Sequence, residues 1–346
     1  MTARPIHDLP RRLDESPMAP LQIAAVAVTV AISALDGYDV LAASFAAPAV
    51  SRAWGIGKAT LGLVLSSGLF GMAFGALALA PLADLVGRRA LILASLAVMA
   101  LGMALSALAP SPACLAAWRF LTGLGIGAMV AVITPLAAEF ANARRRPLAL
   151  ALMAMGYPAG GLFGGAAAAY LLSAFGWRAL FWLGSAAALC LLPAVLLFLP
   201  EPMVFLLARR GPGSLTRVNR LLKRFGQPAV TDLPPAAQGG PRPYAQIFAP
   251  GVRFRTVQLT AVSVTYAMVA YYMLSWLPQM VADAGFAPAT ASLASAVNGA
   301  AGIGGGVMLG ALAQRQGLAR LTSAAMAGVG VALVAFGFSP PVLPLL

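Results

Sequence analysis

Apolar residues in this chain fall into recurring blocks of roughly twenty or more, each long enough to cross a hydrocarbon layer about 30 Å thick. Of the 346 residues, 60% are hydrophobic and 10% charged, against about 45–50% and about 25% in an ordinary soluble domain. A soluble enzyme built around one core is excluded. Lipid-exposed backbone has to satisfy its hydrogen bonds within its own segment, so the blocks are helices; the 36 Gly and 26 Pro suit membrane helices better than soluble ones. The fold class expected is an all-α polytopic membrane protein with spans at 21–47, 60–81, 90–109, 114–138, 147–172, 177–199, 255–281, 289–312 and 319–338. The domain organisation expected is a six-helix bundle over 1–200, a basic loop over 201–254 and a shorter helical unit over 255–346. Gly211, Pro212, Gly213 and the run from Pro234 to Pro243 break the loop, and within it 214–225 (SLTRVNRLLKRF) is a basic amphipathic pattern suited to a membrane surface.

The net charge of +13 does not point to nucleic acid, because no soluble basic domain exists to hold a duplex. The basic residues lie in the short connections, 19 on the side of the N-terminus and long loop against Arg52, Lys58 and Arg178 on the other, with Arg119 apart. That bias predicts a multi-pass protein of the inner membrane with a cytoplasmic N-terminus. Cys114 and Cys190 have no metal-ligand spacing, so neither a disulfide nor a zinc site is expected. The first 18 residues hold Asp8, Asp14 and Glu15 and precede a span too long for a signal h-region, so no cleaved signal peptide is read.

Ionisable side chains inside a bilayer cost at least about 2.5–3.5 kcal/mol each and are functional candidates by default. Asp36 and Asp39 share the first span, three residues apart on one helix face. Two carboxylates so close and so desolvated do not sit comfortably as a doubly charged pair, which suits one of them to gaining and losing a proton. The structural alternative is a cap at Gly37 or a contact with a neighbouring helix. Arg119 opens the fourth span at comparable depth, placed for a charge pair with the aspartates or to fork onto a substrate carboxylate; snorkelling to the outer interface is the alternative. Glu139 ends the same span about 30 Å away along the helix axis, so it belongs to a different site, paired with a basic-side arginine such as Arg88 or Arg144 as an inner gate or a surface salt bridge.

Gly123, Gly125 and Gly127, with Gly156, Gly160, Gly161, Gly164 and Gly165, suit close helix–helix approach; read as nucleotide loops they lack the preceding strand. Tyr157, Tyr272 and Asn298 place aromatic and polar groups deep in their spans, as substrate contacts or interhelical glue; Tyr271 belongs to the same group, and Trp276 lies nearer the outer interface, where Trp is common for lipid reasons alone.

These residues resemble the major facilitator superfamily and, within it, the aromatic acid:proton symporter family. The D-G-x-D signature of that family's first helix reads Asp36-Gly37-Tyr38-Asp39 here. The superfamily gate motif reads Asp84-Leu85-Val86-Gly87-Arg88-Arg89, and an R-x-x-x-G-x-G-x-G pattern starts at Arg119. Gly156-Tyr157-Pro158, Trp177-Arg178, Leu199-Pro200-Glu201-Pro202 and Trp276-Leu277-Pro278 also match. The resemblance implies two six-helix bundles rocking around a central cavity and import of a small aromatic carboxylate with protons. By position, Asp36 and Asp39 couple the proton; Arg119, Tyr157, Tyr272 and Asn298 bind substrate; Asp84, Gly87, Arg88, Arg89 and Glu139 form the cytoplasmic gate. A monomer without cofactor or metal is implied.

Ala80, Leu85 and Gln314 depart from the usual gate residues, and nine spans fall short of the twelve the family implies, leaving a complete N-terminal bundle and a partial C-terminal one. The alternatives are a transporter of another small solute and a truncated, non-transporting membrane remnant. An integral membrane enzyme has least support, since the single histidine, His7, lies in the N-terminal tail and no nucleophile–base pair appears.

Overall fold

The computed structural model describes residues 9–208, 213–233, 248–249, 251–316 and 318–338; His7, Gly211, Pro212, the run Pro234–Pro243 and the side chains of Gln314 and Arg315 lie outside them. All the regular structure among these residues is helical. A short α1 (Leu9–Glu15) precedes α2 (Pro20–Trp54), and α3 (Lys58–Phe74) runs through a wide turn (Gly75–Leu79) and a tight one (Ala80–Leu82) into α4 (Ala83–Val86). Then come α5 (Arg88–Ala107), α6 (Pro112–Phe140), α7 (Arg146–Ala174) and α8 (Arg178–Phe198). The connection holds α9 (Met203–Ala208) and α10 (Ser214–Arg224), followed by α11 (Arg253–Asp283), α12 (Pro288–Gln316) and α13 (Leu318–Phe338). Eight helical stretches are long and apolar enough to cross a membrane, and α13 adds an apolar stretch over Arg320–Ala335.

The helices reach beyond the apolar blocks that announce them. The first runs 35 residues, from Pro20 to Trp54, against an apolar block of 21–47, because a helix continues past the lipid edge until a cap stops it. Here Gly55 stops it in the left-handed conformation (φ 61°). Asp36 and Asp39 therefore sit near the middle of α2.

Two close crossings set the N-terminal bundle. Gly37 of α2 lies against the Tyr157 carbonyl of α7, and Gly160 of α7 lies against the Ala34 carbonyl and Tyr38 amide of α2, so a Cβ at either would strike backbone. Gly71 and Gly123 do the same for α3 and α6. In lipid, such approach gains dispersion contact that larger residues would block. Around the crossings Ile32, Ile92, Leu96, Met99, Met129 and Leu136 form the buried core.

The apolar face of the basic amphipathic segment packs on protein. Val218 and Leu222 of α10 pack with Val230, Leu13, Met203 and Leu206, while Leu221 and Phe225 join the core of the bundle. Asn219 locks this fold-back by exchanging two hydrogen bonds with the backbone of Val230, at 2.8 and 2.9 Å. An amphipathic moment says only that one face needs an apolar partner, and protein supplies it here.

Helices α11–α13 meet this bundle mainly at the end away from the basic loop. Lys58 pairs with Asp283 at 2.8 Å, Trp276 lies over Gly62, and Gly165 abuts Ser292 and Ala296. Toward the basic end α11 separates, with Phe254, Leu259, Val262 and Tyr266 exposed.

The crossing predicts a contrast. Gly160→Ala should lower stability by about 1–3 kcal/mol in thermal unfolding of the detergent-solubilised protein, whereas Gly304→Ala, where a Cβ meets open space, should not be destabilising. Equal destabilisation would contradict this packing.

Candidate functional site

The centre of the bundle holds three ionisable residues in nearly complete burial: Asp36 is 1% exposed, Asp39 0% and Arg119 3%. All four carboxylate oxygens of the two aspartates lack a hydrogen-bond partner, the least comfortable arrangement for ionised carboxylates. Arg119 does not close an ion pair with either. Its Nη2 donates to the backbone carbonyl of Asp39 at 2.6 Å and its Nη1 reaches the Met103 sulfur at 3.1 Å, while Nε has no partner. The guanidinium also lies 5.9 Å from the centre of the Phe181 ring. The charge pair expected from sequence is thus a contact with the Asp39 carbonyl, which leaves the Asp39 carboxylate bare. Tyr38 between the aspartates points elsewhere and donates to the Leu180 carbonyl at 2.7 Å.

A cavity of about 550 Å³ opens between α3 and α11, lined by Gly62, Leu65, Ser66 and Leu69 on one wall and by Tyr271, Tyr272, Ser275 and Trp276 on the other. That size and lining suit a small, largely apolar ligand held by a few polar groups. A much narrower pocket, about 10 Å³, shares Leu65, Leu69 and Ser275 with it and ends at Arg119. Space of that size holds at most about one water, so Arg119 is closed off from the wide cavity in this conformation.

Tyr271 links the two regions. It lines the cavity and faces both Tyr157 and Asp36. Its chain neighbour Tyr272, a candidate substrate contact from sequence, is 50% exposed and sits beside Trp276, ring centres 6.5 Å apart, on the cavity wall away from the acids. Periodicity does not tell the two tyrosines apart, since Ser275, Leu277, Pro278, Gln279, Val281 and Ala282 beyond them are all buried. Asn298 also parts company with the acids: it is exposed and lines a separate cleft of about 660 Å³ with Tyr266, Met326 and Leu333. The Tyr157 hydroxyl is buried and faces Tyr271.

At the basic end, Arg88 forms an ion pair with Glu139, both side chains about one-fifth exposed. Gly87 takes φ 102°, a conformation in which other residues are strained, and a Cβ there would meet the Glu201 carboxylate. Glu201 Oε1 accepts the backbone N–H of Arg88 at 2.7 Å and of Arg89 at 3.4 Å, capping the start of α5 where the helix dipole favours an anion. Burial pushes the Glu201 carboxyl up, and the two backbone donors hold it back. Arg89 donates to the Leu196 carbonyl at 2.6 Å. Asp84 is exposed and makes no hydrogen bond or ion pair among the described residues; the acid that holds the Gly87 turn is Glu201, distant in sequence from the turn it caps.

Residues 29–346 match the family model described as Major Facilitator Superfamily. The chain is 31% identical over 327 residues to a protein named gallate transporter from Pseudomonas putida, covering 94% of this chain and 73% of that one. It is 33% identical to the 4-hydroxybenzoate transporter PcaK of Pseudomonas aeruginosa, covering 80% of this chain but only 63% of the relative. Among solved structures, the xylose transporter XylE of E. coli in a partially occluded inward-open conformation superposes with a TM-score of 0.69 at 16% identity, over 94% of this chain and 82% of that one. That likeness concerns the fold.

A double-mutant cycle separates the ion pairs. Arg88→Ala with Glu139→Ala should show a coupling of about 1 kcal/mol or more in thermal unfolding, and Lys58→Ala with Asp283→Ala, an exposed pair, less than about 0.5 kcal/mol. Equal couplings would contradict the burial argument.

Proposed function

The chain belongs to the major facilitator superfamily, and from that premise we propose that it carries a small aromatic carboxylate across the membrane together with protons, by alternating access. The observation that carries this reading is the buried pair Asp36 and Asp39, without hydrogen-bond partners, against Arg119 in the middle of an apolar bundle. A buried carboxylate without a hydrogen-bond partner gains by holding a proton, and an arginine committed only to a carbonyl and a thioether has fork geometry left for an anion.

In this scheme the aromatic ring enters the cavity between α3 and α11, against Tyr271, Tyr272 and Trp276. Its carboxylate is drawn toward Arg119 once the narrow pocket past Leu65, Leu69 and Ser275 widens. The anion and the acid pair then compete for the same guanidinium. Substrate binding favours protonated aspartates, and proton loss favours substrate release, which is a coupling free energy between two ligands. Contacts Lys58–Asp283 and Trp276–Gly62 close the far side while the basic side stands open, and the Arg88–Glu139 and Glu201 contacts belong to the gate on the basic side. The relatives named for gallate and 4-hydroxybenzoate support an aromatic acid as the substrate class. The arginine bias supports an inner-membrane protein with its N-terminus in the cytoplasm.

The test is uptake of radiolabelled 4-hydroxybenzoate and gallate by cells carrying this chain in the membrane. Uptake should collapse with a protonophore and fall to background in Asp39→Asn and in Arg119→Gln. Protonophore-resistant uptake unaffected by Asp39→Asn would overturn proton coupling. Uptake of another anion but neither aromatic acid would overturn the substrate class.

A further inference from the structure

The basic end carries a second concentration of charge, of which the transport scheme uses only Arg89 and Glu201. Arg217, Arg220 and Arg224 recur at i, i+3 and i+7 on α10, and all three are exposed. With Arg89 they line a cavity of about 190 Å³ against the end of α8. Four guanidiniums face one carboxylate there, Glu201, and one oxygen of that carboxylate already accepts the Arg88 and Arg89 backbone N–H groups. Two of the arginines are anchored at the last turn of α8: Arg89 on the Leu196 carbonyl at 2.6 Å and Arg224 on the Leu197 carbonyl at 3.4 Å. Arg89 Nε is buried and unpartnered. The position of this charge is fixed, because the opposite face of α10 is locked into the protein through Val218 and Leu222.

The remaining wall is apolar. Leu196 and Leu197 line the same cavity and are 53% and 62% exposed, in the final turn of a membrane-crossing helix. An arginine cluster directly above an exposed apolar helix end has the layout of a phospholipid: phosphate above, acyl chains below. A free phosphate would use the arginines and leave the leucines to no purpose.

We propose that Arg89, Arg217, Arg220 and Arg224 hold the phosphate of an anionic phospholipid, whose chains lie along Leu196 and Leu197. The occupied site ties α10 to the end of α8 and to the Arg88–Arg89 turn, so the lipid stabilises the basic-end face of the bundle. The inference rests on the membrane-spanning fold alone and stands apart from the choice of substrate.

The test is native mass spectrometry of the full chain in detergent, titrated with phosphatidylglycerol or phosphatidylcholine of the same chains. The wild type should retain one phosphatidylglycerol in preference to phosphatidylcholine. Each basic residue near an anionic surface contributes about fivefold in binding, so R217Q/R220Q/R224Q should lose about a hundredfold, while R145Q/R253Q/R255Q, with equal charge removed elsewhere, should bind as wild type. Equal retention of the two lipids, or equal loss in both triple variants, would overturn the site. Displacement of the lipid by millimolar inorganic phosphate would reassign it to a soluble anion. A photoactivatable phosphatidylglycerol should label residues 196–224 of the wild type, a readout that needs no variant to fold, and labelling confined to other helices would contradict the proposal.

Discussion

Three ionisable side chains in the centre of an apolar bundle are the constraint around which the rest of this structure is arranged. Moving a carboxylate or guanidinium out of water carries a penalty of several kcal/mol per ion, and only packing can hold the chain in that arrangement. The Gly37 and Gly160 contacts draw α7 onto α2 beside the aspartates, and α6 brings Arg119 to the Asp39 carbonyl. The bundle fixes the positions of these groups without satisfying them. Four carboxylate oxygens without hydrogen-bond partners are the feature on which the proposed proton site rests.

The same physics explains the asymmetry between the two ends. Where the substrate would enter, α11 stands away from α3 and the cavity wall is aromatic. On the far side Lys58, Asp283, Trp276 and Gly62 bring the helices together. The exposed Lys58–Asp283 pair is the kind of contact that breaks cheaply, whereas the glycine crossings do not, and one of these, Gly299 of α12 against Pro158 and Leu162 of α7, joins the two groups of helices. In the proposed scheme the acid pair and Arg119 would move together as part of the N-terminal bundle.

Much of this was legible in the sequence because membrane energetics are written one residue at a time. Apolar blocks announce spans, and an aspartate or arginine inside one announces itself by its cost. Asp36, Asp39 and Arg119 do come together at one depth, and Glu139 does meet Arg88. Contacts that depend on three-dimensional neighbours were not legible in this way. Tyr271 and Tyr272 are equivalent by composition and by the periodicity of their helix, and only the neighbours of Tyr271, Tyr157 and Asp36, tell them apart. Asn298 sits at mid-span yet turns to a different cleft, because span depth says nothing about azimuth. Glu201 reads as part of a proline-flanked loop, and its hold on the Gly87 turn follows from a fold-back across more than a hundred residues. The apolar face of α10 is equally suited to lipid and to Leu13, Met203 and Leu206, and the chain provides the latter.

The central claim is that the acid pair beside Arg119 is a proton site linked to anion binding. Infrared difference spectroscopy on the purified chain tests it most directly, by following the C=O stretch of a protonated carboxyl while 4-hydroxybenzoate is added at constant pH. The account predicts a carboxyl band that grows on addition of the acid and is lost in Asp36→Asn/Asp39→Asn. A wild-type spectrum with no protonated-carboxyl change, or one identical to that of the double variant, would contradict it.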